Sequence, residues 1–202
     1  IKQYAEEEYA ECFPLAEGFL RHGHLDKEEE NYKLGSFELH QACERYYKTF
    51  TLVYSGIRPK SHELKVLGAM VRSCSREFAN VFPTHTFEDN KAFDKLCRAY
   101  IEARYNRLFT VSKEQYEYML ARTEVLREVT IRECAARMAY YDEMIEKHSG
   151  TMEEVKECVA GWFSYVNRDI QDTDFATDIL AYIATDEDEL KSLKDNASYI
   201  GG

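Results

Sequence analysis

The segment Lys33-Leu-Gly-Ser-Phe-Glu-Leu-His-Gln-Ala-Cys-Glu-Arg-Tyr-Tyr-Lys-Thr-Phe-Thr-Leu-Val-Tyr54 carries the clearest periodic signal in the chain. Leu39, Ala42, Cys43, Tyr46, Phe50 and Val53 recur at three- and four-residue spacing, which predicts a long helix with one buried face. His40, Glu44 and Lys48 line up on a neighbouring face at i, i+4 and i+8. Gly56 ends the helix and Pro59 prevents its continuation.

The same period extends in both directions. Upstream, an amphipathic helix is expected from about Tyr4 to His22, with Pro14 as a kink or its true start. Asp26-Lys-Glu-Glu-Glu30 reads as a solvated turn or helix opening. Downstream, Ser61 is placed to cap a third helix over about Glu63 to Val81, closed by Pro83. A fourth runs from about Phe87 to Tyr105, with Phe93, Leu96, Cys97, Tyr100 and Ile101 inward. Ser112 and Gln115 spell a capping box that opens the longest helix, Lys113 to about Lys147. Gly150 stops it, and Thr151 with Glu154 caps the next helix. No alternating strand pattern exceeds four residues, and no repeat is apparent. The expected fold is all-α: an up-and-down bundle of about five helices over 1–149, then an acidic helical extension over 150–202.

Composition agrees with that reading. A chain of 202 residues can bury roughly 70% of its unfolded surface. Three prolines and nine glycines argue against a turn-rich sandwich and exclude a collagenous chain. With 45% hydrophobic residues, wholesale disorder is excluded. No apolar run approaches the about 20 residues of a membrane span, so no membrane partner is expected. The opening Ile-Lys-Gln-Tyr shows neither Met nor a signal peptide and reads as a processed product or a piece of something longer. Cysteines at 12, 43, 74, 97, 134 and 158 form no Cys-x-x-Cys pair. They read as reduced thiols in or near the core of a cytoplasmic protein.

The net charge of −11 is uneven. Residues 1–50 carry 6 basic and 11 acidic side chains, residues 151–202 carry 4 and 12, and residues 51–113 carry 11 and 6. An acidic protein makes a poor general nucleic-acid binder. Its +5 stretch can still hold one polyanionic ligand.

Familiar catalytic spellings are absent: there is no phosphate-cradling Gly-rich loop, no Gly-x-Ser-x-Gly and no His-Glu-x-x-His. His22-Gly-His24 lacks a third metal ligand and reads as a solvated turn. Asp169, Asp172, Asp174 and Asp178 read as solvated helix caps. Neither a metal nor a cofactor is expected.

Three segments stand apart from this background: Ser36 to Glu44, with Leu39-His40-Gln41-Ala42 inside it; Pro59-Lys-Ser-His-Glu-Leu64; and Tyr100-Ile-Glu-Ala-Arg-Tyr105. In order and spacing they resemble the HEPN domain family, whose motifs read small-x-x-Leu-His-Gln-Ala-x-Glu, Pro-Lys-Thr-His-x-Leu and Tyr-x-x-Ala-Arg-Tyr. Ser61 stands where the second motif usually has Thr. The resemblance covers roughly residues 5–147 and is greatest to the subgroup fused to, or encoded beside, minimal nucleotidyltransferases. It implies a dimeric helical bundle, and toxin–antitoxin pairs are another setting of the family.

Many family members are metal-independent ribonucleases marked by Arg, four to six residues, then His. There the Arg steadies the scissile phosphate and the His moves a proton. Here Arg104 is followed at those distances by Phe109, Thr110 and Val111, and Arg98 by Ala103, Arg104 and Tyr105. The next histidine downstream is His148. This departure argues against an enzyme. The chain is therefore expected to be a non-catalytic nucleotide- or RNA-binding and partner-binding module working with a nucleotidyltransferase. Its candidate contacts are His40, Lys60, His62, Arg98, Arg104, Tyr105 and Arg107. Plain structural roles stay open for them: first-turn capping by His62, and pairing of Arg104 with Glu102 or Glu63. Two alternatives also stand: a ribonuclease with a histidine displaced to His40 or His62, and a ligand-free structural dimerisation domain.

A homodimer is expected on one further ground. The long helix from Lys113 carries Tyr116, Tyr118, Met119, Leu120, Val125, Leu126, Val129 and Ile131 on more than one face. One core stripe of about 100° leaves part of that surface to be covered, by Trp162, Phe163, Tyr165 and Ile170 of the extension or by a second copy.

Overall fold

The computed structural model describes residues 1–83 and 86–147, and the residues described are helical with no strands. Five α-helices follow one another: α1 Lys2–Glu28, α2 Tyr32–Ser55, α3 Leu64–Cys74, α4 Phe87–Tyr105 and α5 Lys113–Lys147. A 3-10 helix, Arg76–Asn80, follows α3. Ile1–Asp142 make one compact unit. The extension expected over 150–202 lies outside the described residues, as do its caps, its aromatic residues and its aspartate run.

Everything is arranged around α2. Fourteen of its 24 residues are buried, more than one stripe can account for, so this helix is enclosed rather than laid on a surface. α1 packs antiparallel to it through Phe13 against Tyr46, ring centroids 5.5 Å apart. α4 also runs antiparallel, and α5 runs with α2, joined by the Cys43–Thr123 contact of 3.3 Å and the Tyr141 hydroxyl donating to the Val53 carbonyl at 3.1 Å. Glu17 ties three helices together. It accepts from the Tyr46 hydroxyl at 2.5 Å and from Arg127 Nε at 2.8 Å. Within α2 the buried Thr49 and Thr51 hydroxyls donate back to the carbonyls of Arg45 and Tyr47, so neither needs a partner from another helix.

The α1–α2 turn is tight. Glu30 takes φ 56°, and Tyr116 of α5 reaches into the crossing to donate to the Gly23 carbonyl at 2.7 Å. A Cβ on Gly35 would stand 2.2 Å from the Tyr116 hydroxyl oxygen. No rotamer change relieves that, because the ring is buried.

Several boundaries differ from expectation for physical reasons. α1 continues through Pro14 to Glu28. Pro14 and Ala10, four residues before it, are exposed, so the carbonyl that loses its donor is left to solvent. Asp26 to Glu28 belong to the last turn of α1, with Asp26 buried, and Glu29 and Glu30 form the exposed turn. The third helix breaks at Ser75, whose hydroxyl accepts from the Glu77 backbone N–H at 3.3 Å. α3 begins only at Leu64, with Glu63 as its N-cap residue, while Ser61 accepts from the Glu63 N–H at 3.1 Å in the preceding turn. Other stops are as read: Gly56 takes φ 72° after α2, and Ser112 and Gln115 exchange both capping-box bonds at 3.2 and 3.3 Å.

Two packing expectations are corrected. Ile101 is 60% exposed, because the buried face of α4 is centred on Ala92, Leu96 and Ala99. On α5, Tyr116, Met119, Leu120, Leu126 and Val129 are buried and Tyr118, Val125 and Ile131 are half-buried. The cover comes from within the unit: Arg122 donates to the Val81 carbonyl at 2.5 Å, Tyr118 to the Pro83 carbonyl at 3.0 Å, and Glu133 accepts from Ser75 at 2.7 Å. The Gly35–Tyr116 approach gives a first prediction. Gly35→Ala forces the helices apart, an overpacking worth about 1–3 kcal/mol. Urea denaturation is expected to show a lower midpoint at unchanged slope.

Candidate functional site

Three segments far apart in sequence meet on the ring of Tyr100. α2 contributes Phe37, His40 and Glu44, which helical spacing places along one side. The left-handed stop at Gly56 and the buried Pro59 turn the chain back, so that His62 reaches Glu44. From α4, Tyr100 and Arg104 stand one turn apart. The Tyr100 centroid lies 5.4 Å from that of His40, 5.8 Å from that of His62 at an interplanar angle of 7°, and 6.3 Å from that of Phe37.

Arg104 lies over this aromatic floor. Its guanidinium carbon is 4.5 Å from the Tyr100 centroid and 5.1 Å from those of Phe37 and Tyr105. Cation–π attraction and the bond from Nε to the Tyr100 carbonyl, 2.7 Å, fix its direction. Neither expected carboxylate, Glu102 nor Glu63, pairs with it, and among the described residues its two terminal amino groups have no partner. A fixed fork of free N–H donors on an exposed residue is the geometry that phosphate and carboxylate oxygens recognise.

Beneath it sits a compact ionic cluster. Glu44 is 4% exposed, and its Oε1 accepts from Lys48 Nζ and from His62 Nδ1, both at 2.9 Å. Its Oε2 is buried without a partner. Because a carboxylate accepts, His62 donates from Nδ1 and its other nitrogen is left as the basic one. The His62 side chain is 58% exposed. His40, in contrast, is buried, with Nδ1 3.5 Å from Gln41 Nε2. Burial pushes its imidazole down to about 4, and the nearby His62 and Arg104 charges push the same way against the pull of Glu44. It is a neutral packing group at physiological pH.

The expected contacts divide clearly. His40, His62, Arg104 and Tyr105 are brought together. Arg98 is not: it pairs with Glu102 on its own helix at 3.0 Å. Lys60 and Arg107 are exposed and have no hydrogen bond, ion pair or ring contact among the described residues. His62 precedes α3 instead of sitting in its first turn, which removes the helix-dipole argument for it. Sequence reasoning passed over Phe37 and Tyr100, the floor itself. Their signal was their place inside the two outer motifs. Two grooves, of about 380 and 690 Å³, lie against other residues; here the exposed His62, Arg104 and Tyr105 form an open shelf.

The described residues form a small helical bundle that presents aromatic and charged side chains on one open face. The HEPN domain family matches residues 9–134, a span that includes all three motifs. The chain belongs to that family, which includes nucleotide- and RNA-binding modules and ribonucleases. No match is found among curated proteins. No helix among the described residues is long and apolar enough to cross a membrane.

The His40 environment sets a pH dependence. Its folded pKa lies below the unfolded value of about 6.5, so its contribution is full above pH 6.5 and is lost as pH falls toward about 4. Thermal melts are expected to show declining stability across that window. His40→Gln should flatten the decline, and an NMR titration should find no His40 transition near pH 6.5.

Proposed function

We propose that the chain is a non-catalytic nucleotide- or RNA-binding HEPN module with the Arg104 shelf as its anion site and a nucleotidyltransferase as its partner. The free guanidinium fork over Phe37, Tyr100 and Tyr105 carries this reading. A phosphate takes the fork, and the exposed ring of Tyr105 offers a face on which a base can stack. Lys60 and Arg107 add unpaired positive charge to the same +5 stretch of sequence. The motif resemblance supports the partner. The test is titration of the protein with labelled ATP and a short single-stranded RNA at two salt concentrations. Affinity is expected to fall as salt rises, and Arg104→Glu should weaken binding at least tenfold at unchanged thermal stability. Equal binding by that variant returns Arg104 to a helix-end structural role.

A second reading rests on the His62–Glu44 pair. A carboxylate that orients an imidazole, with the free nitrogen exposed beside a phosphate-binding arginine, is the arrangement of a general base. The family's ribonuclease chemistry would then proceed through a displaced histidine. End-labelled RNA incubated with the protein in EDTA separates the readings. Intact RNA is expected for the binding module, whereas cleavage that disappears in His62→Gln would establish the enzyme.

A further inference from the structure

Among the described residues a second arginine lies over aromatic rings as Arg104 does: Arg137 of α5. Its guanidinium carbon is 4.2 Å from the Tyr54 centroid, 4.8 Å from that of Tyr141 and 5.1 Å from that of Tyr140. Nε donates to the Tyr141 hydroxyl at 3.1 Å and to the Tyr54 carbonyl at 3.3 Å. The last carbonyls of α2 are closed mainly by Tyr141, whose hydroxyl lies 3.1 Å from those of Val53 and Tyr54. Capping α2 therefore employs one nitrogen of Arg137. Its two terminal amino groups have no partner among the described residues, and neither is buried. Other fixed arginines are taken up elsewhere: Arg58, Arg98, Arg127 and Arg132 by carboxylates, and Arg122 by the carbonyls of Asn80 and Val81.

The surroundings favour an anion. The Ser75 hydroxyl donates to Glu133 at 2.7 Å, one turn before Arg137, which lays the joint between α3 and the 3-10 helix against this part of α5. Arg72 and Arg76, exposed on either side of that joint, have no carboxylate partner among the described residues. The nearby acids are engaged: Glu133 by Ser75 and Arg132, Glu77 by Arg132, and Asp142 by Lys2. Arg72, Arg76, Arg132 and Arg137 thus outnumber Glu77 and Glu133 by two charges, which suits the nearly double charge of a phosphate monoester. Tyr140, 46% exposed, holds its ring beside the free fork. We propose that Arg137, Tyr54 and Tyr140 form a second anion site, one that takes a phosphate monoester carrying a flat ring, as a nucleoside 5′-phosphate does. The phosphate sits on the guanidinium fork and the ring stacks on Tyr140. Tyr54 stands ten residues beyond Glu44 on α2, about 15 Å along the axis, so the site is separate from the Arg104 shelf. It also lies outside the three sequence motifs, and Arg137, Tyr140 and Tyr141 follow the end of the family match at residue 134.

NMR of the full chain, read at the arginine Nε–H and tyrosine ring signals during titration with AMP, tests this. An open site with one fork and one ring face is expected to bind in the millimolar range. AMP should move the Arg137 and Tyr140 signals, and inorganic phosphate should do so about tenfold more weakly, because it lacks the ring. Arg137→Gln keeps an amide that can donate to the Tyr54 carbonyl but removes the fork, and should abolish the Tyr140 response. Tyr140→Ser, an exposed substitution, should reduce AMP to the affinity of inorganic phosphate. Thermal melts report that both variants remain folded. Arg104→Glu should leave the Arg137 response unchanged, so the outcome does not depend on binding at the shelf. A parallel titration with a short 5′-phosphorylated single-stranded RNA identifies the source of the phosphate: tighter binding than AMP assigns it to the end of a strand, weaker binding to a free nucleotide. An Arg137 signal that AMP leaves in place overturns the proposal. So does a Tyr140 response that persists in Arg137→Gln or vanishes in Arg104→Glu, or inorganic phosphate binding as tightly as AMP.

Discussion

Enclosing α2 carries polar side chains into the core, and several are satisfied close by, although Glu38 Oε2, Glu44 Oε2 and Arg45 Nε are buried without a hydrogen-bond partner. Thr49 and Thr51 bond back to their own helix, Tyr46 donates to Glu17, and Glu44 is held by Lys48 and His62. An orphaned buried polar group costs about 1–3 kcal/mol, so each of these bonds removes a cost that enclosure would otherwise add. With the hydroxyls and Glu44 Oε1 paired, α1, α4 and α5 close on α2. The shelf is a by-product of that closure, since Phe37, His40 and Glu44 lie where the wrapping of α2 is incomplete.

The shelf is built in two layers that behave differently. The lower layer, His40 and Glu44, is buried and serves to hold the upper one. The upper layer, His62, Arg104 and Tyr105, is exposed and presents nitrogen donors and a ring to solvent. Stacking on Tyr100 gives both His62 and Arg104 a defined direction without enclosing them. A ligand meeting this surface has little side-chain freedom to freeze, which is the physical content of preorganisation.

Sequence periodicity made the helices legible where punctuation was explicit. α2 stops at the left-handed Gly56, and α5 opens on the Ser112–Gln115 capping box. It failed where tertiary context decides. Pro14 costs about 3 kcal/mol in an isolated helix interior, but α1 is held against α2 on either side of it. Apolar spacing continues through Ser75, and only the hydroxyl bond to Glu77 and the burial of Phe78 break the helix there. On α4 the expected inward set holds except for Ile101: Leu96 is buried and Phe93 and Cys97 pack against the core, while Ala92 and Ala99 share the close packing. The motif histidines and Arg104 were legible as a set. The meeting point at Tyr100 was not, since it depends on the return of the chain after Gly56.

The bond from Tyr116 to the Gly23 carbonyl joins residues 93 apart. Neighbouring helices can pair as soon as both exist, but α5 closes over α1 and α2 only after α3 and α4 have also been made. During synthesis at about 5–20 residues per second, the α1–α2 hairpin therefore waits roughly 5–18 s for the whole of α5. In that interval Leu39, Cys43 and Phe13 face a half-built groove that fits a helix. These two helices are most exposed to mispairing before α5 leaves the ribosome.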